Sequence, residues 1–324
     1  MAGLPEHITR RLRLPLIAAP MLRVSGPDLV IAACRSGVVG AFPTANAGSG
    51  EELDAWLTKI TEALDVIGPK PAPWCPNLII HRDMALQRDL EVIIRHGVEM
   101  VITSVGSPEP VIKPLHDAGC LVLADVATLK HARKAIAAGA DGLVLLTAGA
   151  GGQTGWLNGF AFVRAVRSFF DGPLVLAGGV CDGDSLLAAQ ALGCDLAYMG
   201  TKFIAAEESM AAAEYKQMLV ASTADDIILT RAITGLPASM LRASLIAAGV
   251  EPDGLDESMT PERARELFGS SKDTHRPARW KNIWSAGHAV SGVNGVSPAT
   301  EIVAQTEREW GAARYRLESL MEMR

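Results

Sequence analysis

Aromatic residues are scarce: seven Phe, six Trp and three Tyr amount to 5% of the 324 residues. A hydrophobic fraction of 49% must therefore be supplied mainly by small and aliphatic side chains, which suits close packing of helices on strands and excludes disorder as the default. Positive charge is also in short supply. Thirty Lys and Arg against 36 Asp and Glu give a net charge of −6, which argues against nucleic acid or an anionic membrane as a partner. Cysteine is limited to Cys34, Cys75, Cys120, Cys181 and Cys194, an odd number in apolar runs with no C-x-x-C pair. A disulfide framework, a zinc site or any other metal site is not expected, and a reduced cytoplasm is the simplest setting. No apolar run approaches the ~18 residues that cross a bilayer. The basic-then-apolar stretch RRLRLPLIAAPM is short, carries two prolines and reads as a first strand rather than a signal peptide.

What the chain does have is alternation. Strand-like apolar runs lie at Leu16–Ala19, Val38–Phe42, Cys75–Ile80, Met100–Thr103, Leu121–Ala124, Gly142–Thr147, Leu174–Ala177 and Leu196–Met199. Helix-like stretches fill the gaps at Pro27–Arg35, Glu51–Val66, Asp83–Arg95, Glu109–Asp117, Leu129–Ala138, Phe160–Phe169 and Gly183–Ala191. Gly97, Gly119, Gly139 and Gly193 follow four of the helices, where the left-handed stop of a helix favours glycine. Strands that read as continuous apolar runs are buried on both faces. The pattern predicts an α/β fold, a (β/α)8 TIM barrel. A doubly wound sheet would carry G-x-G-x-x-G after its first strand, and that place holds AAPMLRVSG instead.

The barrel is expected over residues 1–206. Residues 207–280 read as a helical cap inserted after strand eight, with Ile227, Ile228, Leu229, Leu241 and Leu245 facing the barrel or one another. The polar stretch SSKDTHRPARWK closes the cap, and residues 281–324 return to complete the barrel wall with a last helix over Pro298–Met323.

Two strand ends carry the strongest local signal. LVLAGGVCDG and LAYMGTKFIA each stop abruptly in small residues, one helix apart, at the last two strands. Those strands end side by side in a barrel, and their loops commonly hold phosphate. Glycine lets backbone N–H groups approach phosphate oxygens without a Cβ in the way. Gly178, Gly179, Gly200 and Thr201 therefore read as a clamp for a phosphorylated cofactor, against the plainer reading of strand-ending turns.

With PLIAAPM, NLII, AGAGGQTG, AGGVCDG, MGTKF and IWSAGH in place over nearly the whole length, the chain resembles the nitronate monooxygenase (2-nitropropane dioxygenase) family of FMN-dependent barrel enzymes. The same group includes flavin-dependent enoyl reductases and NAD(P)H:quinone reductases. The resemblance implies FMN, with Pro20, Met21 and Leu22 along the flavin ring, Asn77 bonding the ring or ribityl chain, and Gly151 in the loop after strand six. Two positions depart from the family. Gln153 stands where many members have a histidine base, and an amide cannot accept a proton near neutral pH. Asp125 stands where some relatives carry lysine beside the flavin, and a carboxylate there opposes a reduced, anionic ring unless it is protonated, paired or turned aside.

His81, directly after strand three, is a candidate acid/base group at the mouth, with a surface helix-start histidine beside Asp83 as the alternative. His288 enters the site if its loop folds back under the cap. His131 reads as packing or surface, and His96 and His116 as helix-end caps, while His7 and His275 lack supporting context. Ser104 and Ser107 are mouth hydroxyls that turn chemistry explains equally well, and Trp156 is a pocket wall or a loop anchor. Lys202 reads as an exposed lysine at a strand end, and Cys181 as a small buried residue rather than a nucleophile.

Three functions follow. The first is oxidation of a small alkyl nitronate with O2. The second is an NAD(P)H-dependent reductase of a quinone, enone or enoyl thioester, with NADH or NADPH as a transient reductant at the mouth. The third is a phosphate-ligand-binding barrel without turnover. A homodimer is compatible with all three.

Overall fold

Short apolar runs bounded by turn formers become strands wherever both faces can be buried, and this chain supplies them in regular succession. The computed structural model describes residues 3–65, 68–81, 83–269 and 277–322. In chain order the elements begin with α1 (Glu6–Thr9), β1 (Leu16–Ala18), α2 (Pro27–Arg35), β2 (Val39–Pro43), α3 (Gly50–Leu64) and β3 (Trp74–Ile79). They continue with α4 (Asp83–Arg95), β4 (Met100–Ser104), α5 (Glu109–Asp117), β5 (Leu121–Val126), α6 (Leu129–Ala137) and β6 (Gly142–Leu146). Then come β7 (Gly152–Gln153), α7 (Gly159–Arg167), β8 (Leu174–Ala177), α8 (Gly183–Leu192), β9 (Leu196–Met199) and α9 (Thr201–Ile204).

The sheet is a closed parallel barrel in the order β1-β2-β3-β4-β5-β6-β8-β9, sealed by β1 against β9 with Ile17 opposite Tyr198. The fold is the (β/α)8 barrel expected from the alternation. Side chains alternate between two cores, as period-two strands require. Ile17, Val39, Cys75, Met100, Ile102, Leu123, Val144 and Val175 fill the barrel, with Ile8 of α1 plugging its floor. Their neighbours Leu16, Leu78, Val101, Val122, Leu143, Leu174 and Ala197 pack outward against the helices. The helix starts at the mouth are fixed by side-chain caps. Thr128 accepts from His131 N–H, Asn158 from Phe160 N–H, and Asp182 forms a reciprocal box with Ser185.

The segment after β9 departs from the helical reading. It contains α10 (Ala213–Val220), α11 (Arg242–Ala247) and α12 (Pro261–Phe268), but also β10 (Ile227–Thr230) and β11 (Ala238–Leu241). These pair antiparallel, Ile227 opposite Leu241 and Thr230 opposite Ala238. Strand β7, in the loop after β6, joins their edge, Gln153 opposite Ala238 and Gly152 opposite Ser239. Four-residue strands show too little periodicity to reveal themselves, and the third strand comes from far away in sequence. Leu241 and Leu245 are buried as expected and Ile227 and Ile228 partly so, but Leu229 alternates outward and is 55% exposed. The cap core is Ile233, Ala238, Met240, Leu245 and Ile283. A second cluster, including Val24, Ile204, Tyr215, Leu219, Leu241, Ala286 and Val290, joins cap to barrel. Within it the Tyr215 and Trp284 rings stack at 4.9 Å, and Tyr215 donates to Ser285 O.

Helix α13 (Ala299–Glu322) packs on α2 and α8. Gly183 lies where α8 meets α13, and a Cβ there would overlap the Trp310 backbone nitrogen. Residues 270–276, including His275 and most of the polar closing stretch, lie outside the described residues. Among the described residues all five cysteines are free, no metal-binding cluster occurs, and no helix is long and apolar enough to cross a membrane.

Candidate functional site

The ends of β8 and β9 carry the glycines that the sequence singles out. Gly178 has φ of 125° and is wedged against Thr147, whose hydroxyl donates to Ala177 O at 2.8 Å. Gly179 has φ of 77°, and nothing lies within 4 Å of where its Cβ would be. Its missing side chain thus faces open space rather than a packed neighbour. Gly200 lies against the β1 end, its Cβ position 3.5 Å from Ala19 and 3.6 Å from the Met21 sulfur. Thr201 is buried, and its hydroxyl accepts the Gly287 N–H at 3.0 Å. Gly178, Gly179, Gly200 and Thr201 thus follow two paired strands at the same end of the barrel, and Gly200 lies next to Met21. Lys202 corrects its exposed reading. It is 8% exposed and its ammonium donates to Cys181 O at 3.0 Å, and its helix α9 packs against α13 and the segment that precedes α13. Burial pushes the Cys181 thiol up to about 11, in keeping with a non-nucleophilic role.

The Pro20–Leu22 loop is braced by residues whose sequence context gives them no prominence. Asn46 donates to Met21 O at 2.9 Å and to Ser25 O at 2.8 Å, and accepts from Arg23 N–H at 2.8 Å. Ser25 accepts from Met21 N–H and donates to Ala19 O, both at 3.1 Å. These bonds hold Arg23 at φ of 61°, a left-handed geometry uncommon for a residue with a side chain. The only sequence signal was a polar Asn one turn after a strand end.

A polar set lines the upper barrel interior. Asn77 is buried, accepts from the Ser104 hydroxyl at 3.1 Å and reaches Ile102 O at 3.5 Å. Asp125 Oδ1 and the Tyr198 hydroxyl are buried without a hydrogen-bond partner among the described residues. Burial alone pushes the Asp125 carboxyl up to about 7. Burial, then the proximity of Asp125 and Cys75, pushes the Tyr198 phenol well above its ordinary range. Tyr198 was missed because its strand reads simply as apolar.

The loop after β6 and the segment before α13 meet over the mouth. His288 N–H donates to Gly149 O at 2.9 Å, and the Cβ position of Gly149 lies 2.7 Å from the His288 Nδ1. Gly151 packs on the Gly287 backbone, its Cβ position 2.9 Å from that nitrogen. His288 thus does fold back onto the loop that carries Gln153, with an exposed side chain. Gln153 is half-buried, and its backbone is tied into the cap sheet through β7. His81 is exposed at the end of β3, its N–H donating to Val105 O at 3.3 Å. His131 is exposed, as expected. His96 and His116 bond Asp54 at 2.8 Å and Asp141 at 2.9 Å, so carboxylates rather than helix-end carbonyls hold them. Trp156 is 84% exposed, so it does not anchor its loop by burial, and Phe160 is 65% exposed nearby in sequence.

Residues 8–305 match the family model described as nitronate monooxygenase. Over 236 residues the chain is 30% identical to (3aS,4S,5R,7aS)-5-hydroxy-7a-methyl-1-oxo-octahydro-1H-indene-4-carboxyl-CoA dehydrogenase of Mycobacterium tuberculosis, covering 72% of this chain and 64% of that protein. It is 28% identical over 340 residues to a nitronate monooxygenase of Paraburkholderia phytofirmans, covering 91% and 92% of the two chains. A solved nitroalkane oxidase from Streptomyces ansochromogenes superposes with a TM-score of 0.79 at 25% identity, covering 96% of this chain and all of that one. FabK from Thermotoga maritima shares the fold, with a TM-score of 0.81 at 24% identity over 98% of this chain and 99% of that one.

Proposed function

The chain belongs to the nitronate monooxygenase family, and on that premise we propose that it is an FMN-dependent oxidoreductase acting on small alkyl nitronates with O2. The observation that carries the cofactor is the pair of strand ends: Gly179 after β8 faces open space, Gly200 after the paired β9 lies against Ala19 and Met21, and Asp125 and Tyr198 each leave a buried polar atom unpartnered among the described residues. Those residues fit a ligand with one phosphate and a flat polar ring. Backbone groups of Gly178, Gly179, Gly200 and Thr201 would hold the phosphate, Pro20, Met21 and Leu22 would flank the ring, and Asn77 would bond it. Bound FMN supplies an electron acceptor that can pass electrons to O2.

The chain's own groups favour an anionic substrate. Gln153 donates two N–H bonds and takes no proton, so it orients and polarises an oxygen-rich group rather than abstracting a proton. A nitronate has already lost that proton. His288, resting on Gly149, and His81, at the end of β3, are the imidazoles at this face that can exchange a proton with bound substrate.

A second reading, an acyl thioester oxidoreductase, is supported by the relatives named as carboxyl-CoA dehydrogenases and by the rim. Gly155 is wedged against Leu146 O and Ala127 O, so Trp156 stands out from an anchored turn, presenting a flat face to solvent. The deciding experiment is the absorbance spectrum of the purified protein, followed by anaerobic mixing. Bleaching by alkyl nitronate alone supports the first reading. Rapid bleaching by NADH or NADPH supports a reductase of a thioester, enone or quinone. A colourless protein that takes up no FMN overturns both and leaves a binding barrel.

A further inference from the structure

We propose that Asp125 stands in the resting protein as a neutral carboxylic acid and serves the ligand of the mouth as a hydrogen-bond donor, so that binding is tied to this one proton. The ligand's identity rests on the FMN reading above; the state of the carboxyl does not.

Asp125 is set apart by its surroundings. Other acids at barrel and helix ends are partnered: Asp195 accepts from Arg167 at 2.7 Å and from Leu174 N–H at 2.8 Å, and Asp141 from Val122 N–H at 2.8 Å beside His116. Asp125 lies in the inward row of β5 with Leu123, across from Val144 of β6, and its Oδ1 is buried with nothing to accept from among the described residues. The titratable groups that reach it are Cys75 of β3 and Tyr198 of β9. Both groups ionise only to anions, and burial keeps them uncharged, so neither supplies a countercharge. The inward neighbours on β3 and β4, Asn77 and Ser104, bond each other. Asp125 is partly buried, and a carboxylate with one oxygen buried and unpaired is disfavoured, which taking up a proton relieves. The upward shift to about 7 from burial alone agrees. A protonated carboxyl is a donor as well as an acceptor, which an ionised one is not. The residue that looked like a liability for an electron-rich ring thereby becomes its donor.

The test uses FMN binding followed by fluorescence quenching across pH, in the wild type and in Asp125→Asn. The amide keeps an N–H donor and removes the proton. Wild-type affinity should weaken by about tenfold per pH unit above neutrality, the signature of one required proton, while the variant shows only the ionisation of FMN itself. Calorimetry in buffers of different ionisation heat should count about one proton taken up by the wild type at alkaline pH and none by the variant. Identical pH profiles and proton counts overturn the proposal. If neither protein binds FMN at any pH, the cofactor reading fails instead. The infrared carboxyl band of the ligand-free protein, taken as wild type minus Asp125→Asn, then decides. Persistence of that band to neutral pH supports the neutral acid, and its loss together with the surface carboxylates overturns it. Tyr198→Phe should leave the profile in place, because burial and not the phenol raises the carboxyl.

Discussion

Replacing Gly179 and Gly178 separately by alanine should separate ligand holding from folding, because the two adjacent glycines have opposite surroundings. At Gly179 the new methyl enters open space, and only the backbone objects, with φ at 77°. A left-handed residue with a Cβ is disfavoured by about 1–2 kcal/mol, and the stiffer unfolded chain of alanine offsets about 0.4–1 kcal/mol of that. The net loss of about 1 kcal/mol lowers the melting temperature by no more than about 2–4 °C. The methyl lies where a phosphate oxygen would approach. Losing one amide bond to a charged group is worth about 1.5–3 kcal/mol, or a roughly 10- to 100-fold rise in the Kd for FMN. At Gly178 the methyl would overlap the Thr147 hydroxyl and lie 3.1 Å from the Ala150 nitrogen. Thr147 and Ala150 are bonded to Ala177 O and Thr147 O, so neither yields freely. Overpacking of this kind adds about 1–3 kcal/mol of destabilisation. Fluorescence titration with FMN and a thermal melt of each variant complete the test. A Gly179→Ala protein with wild-type Kd, or two variants whose affinity losses simply track their melting shifts, would refute the cradle.

Further outcomes follow from the same geometry. Gln153→His should raise activity on neutral nitroalkanes more than on pre-formed nitronates, as a paired pH-rate assay would show; an equal effect on both removes proton abstraction from this position. The raised Asp125 carboxyl means that the native state holds this proton more tightly than the unfolded chain does. Its contribution to stability is complete below about pH 4 and lost as pH rises through about 7. At about 1.4 kcal/mol per pKa unit the loss is on the order of 4 kcal/mol before solvent screening, and urea melts of the wild type and Asp125→Asn should diverge over that window. Residues 207–280 expressed alone should melt without cooperativity, since Tyr215, Leu219 and Leu241 pack against Val24 and Ile204 of the barrel side; a sharp two-state transition would contradict this. Lys216→Met should destabilise by about 2–3 kcal/mol in urea titrations, because the ammonium satisfies the carbonyls of Ala206, Glu207 and Ser209.

Legibility in the sequence tracked locality. The strands Leu174–Ala177 and Leu196–Met199 and the helices Pro27–Arg35 and Glu109–Asp117 have the boundaries that their apolar runs and turn residues predict. The glycines at the β8 and β9 ends were legible because a glycine closing such a run marks a sharp backbone turn that a Cβ would obstruct. What was lost depended on distant partners. Strands β10 and β11 pair with each other but are too short for their period to show, and β7 reaches the β11 edge from far away in sequence. The helix that carries Lys202 packs against chain almost a hundred positions later. Tyr198 looked like any strand residue, because an apolar run does not say which way a ring faces. Asn46 and Ser25 act through backbone carbonyls of a loop whose path no local pattern encodes.

The mouth is closed by chain that is synthesised late. The barrel strands end at Met199, yet Gly287 must bond Thr201 and His288 must bond Gly149 before the rim is whole. On a ribosome, the cylinder can therefore pair its strands while its upper surface still lacks a wall. Completion of the rim and closure of the sheet become two events separated by the time needed to translate the cap. A nascent chain halted between them would hold all eight barrel strands and an incomplete rim.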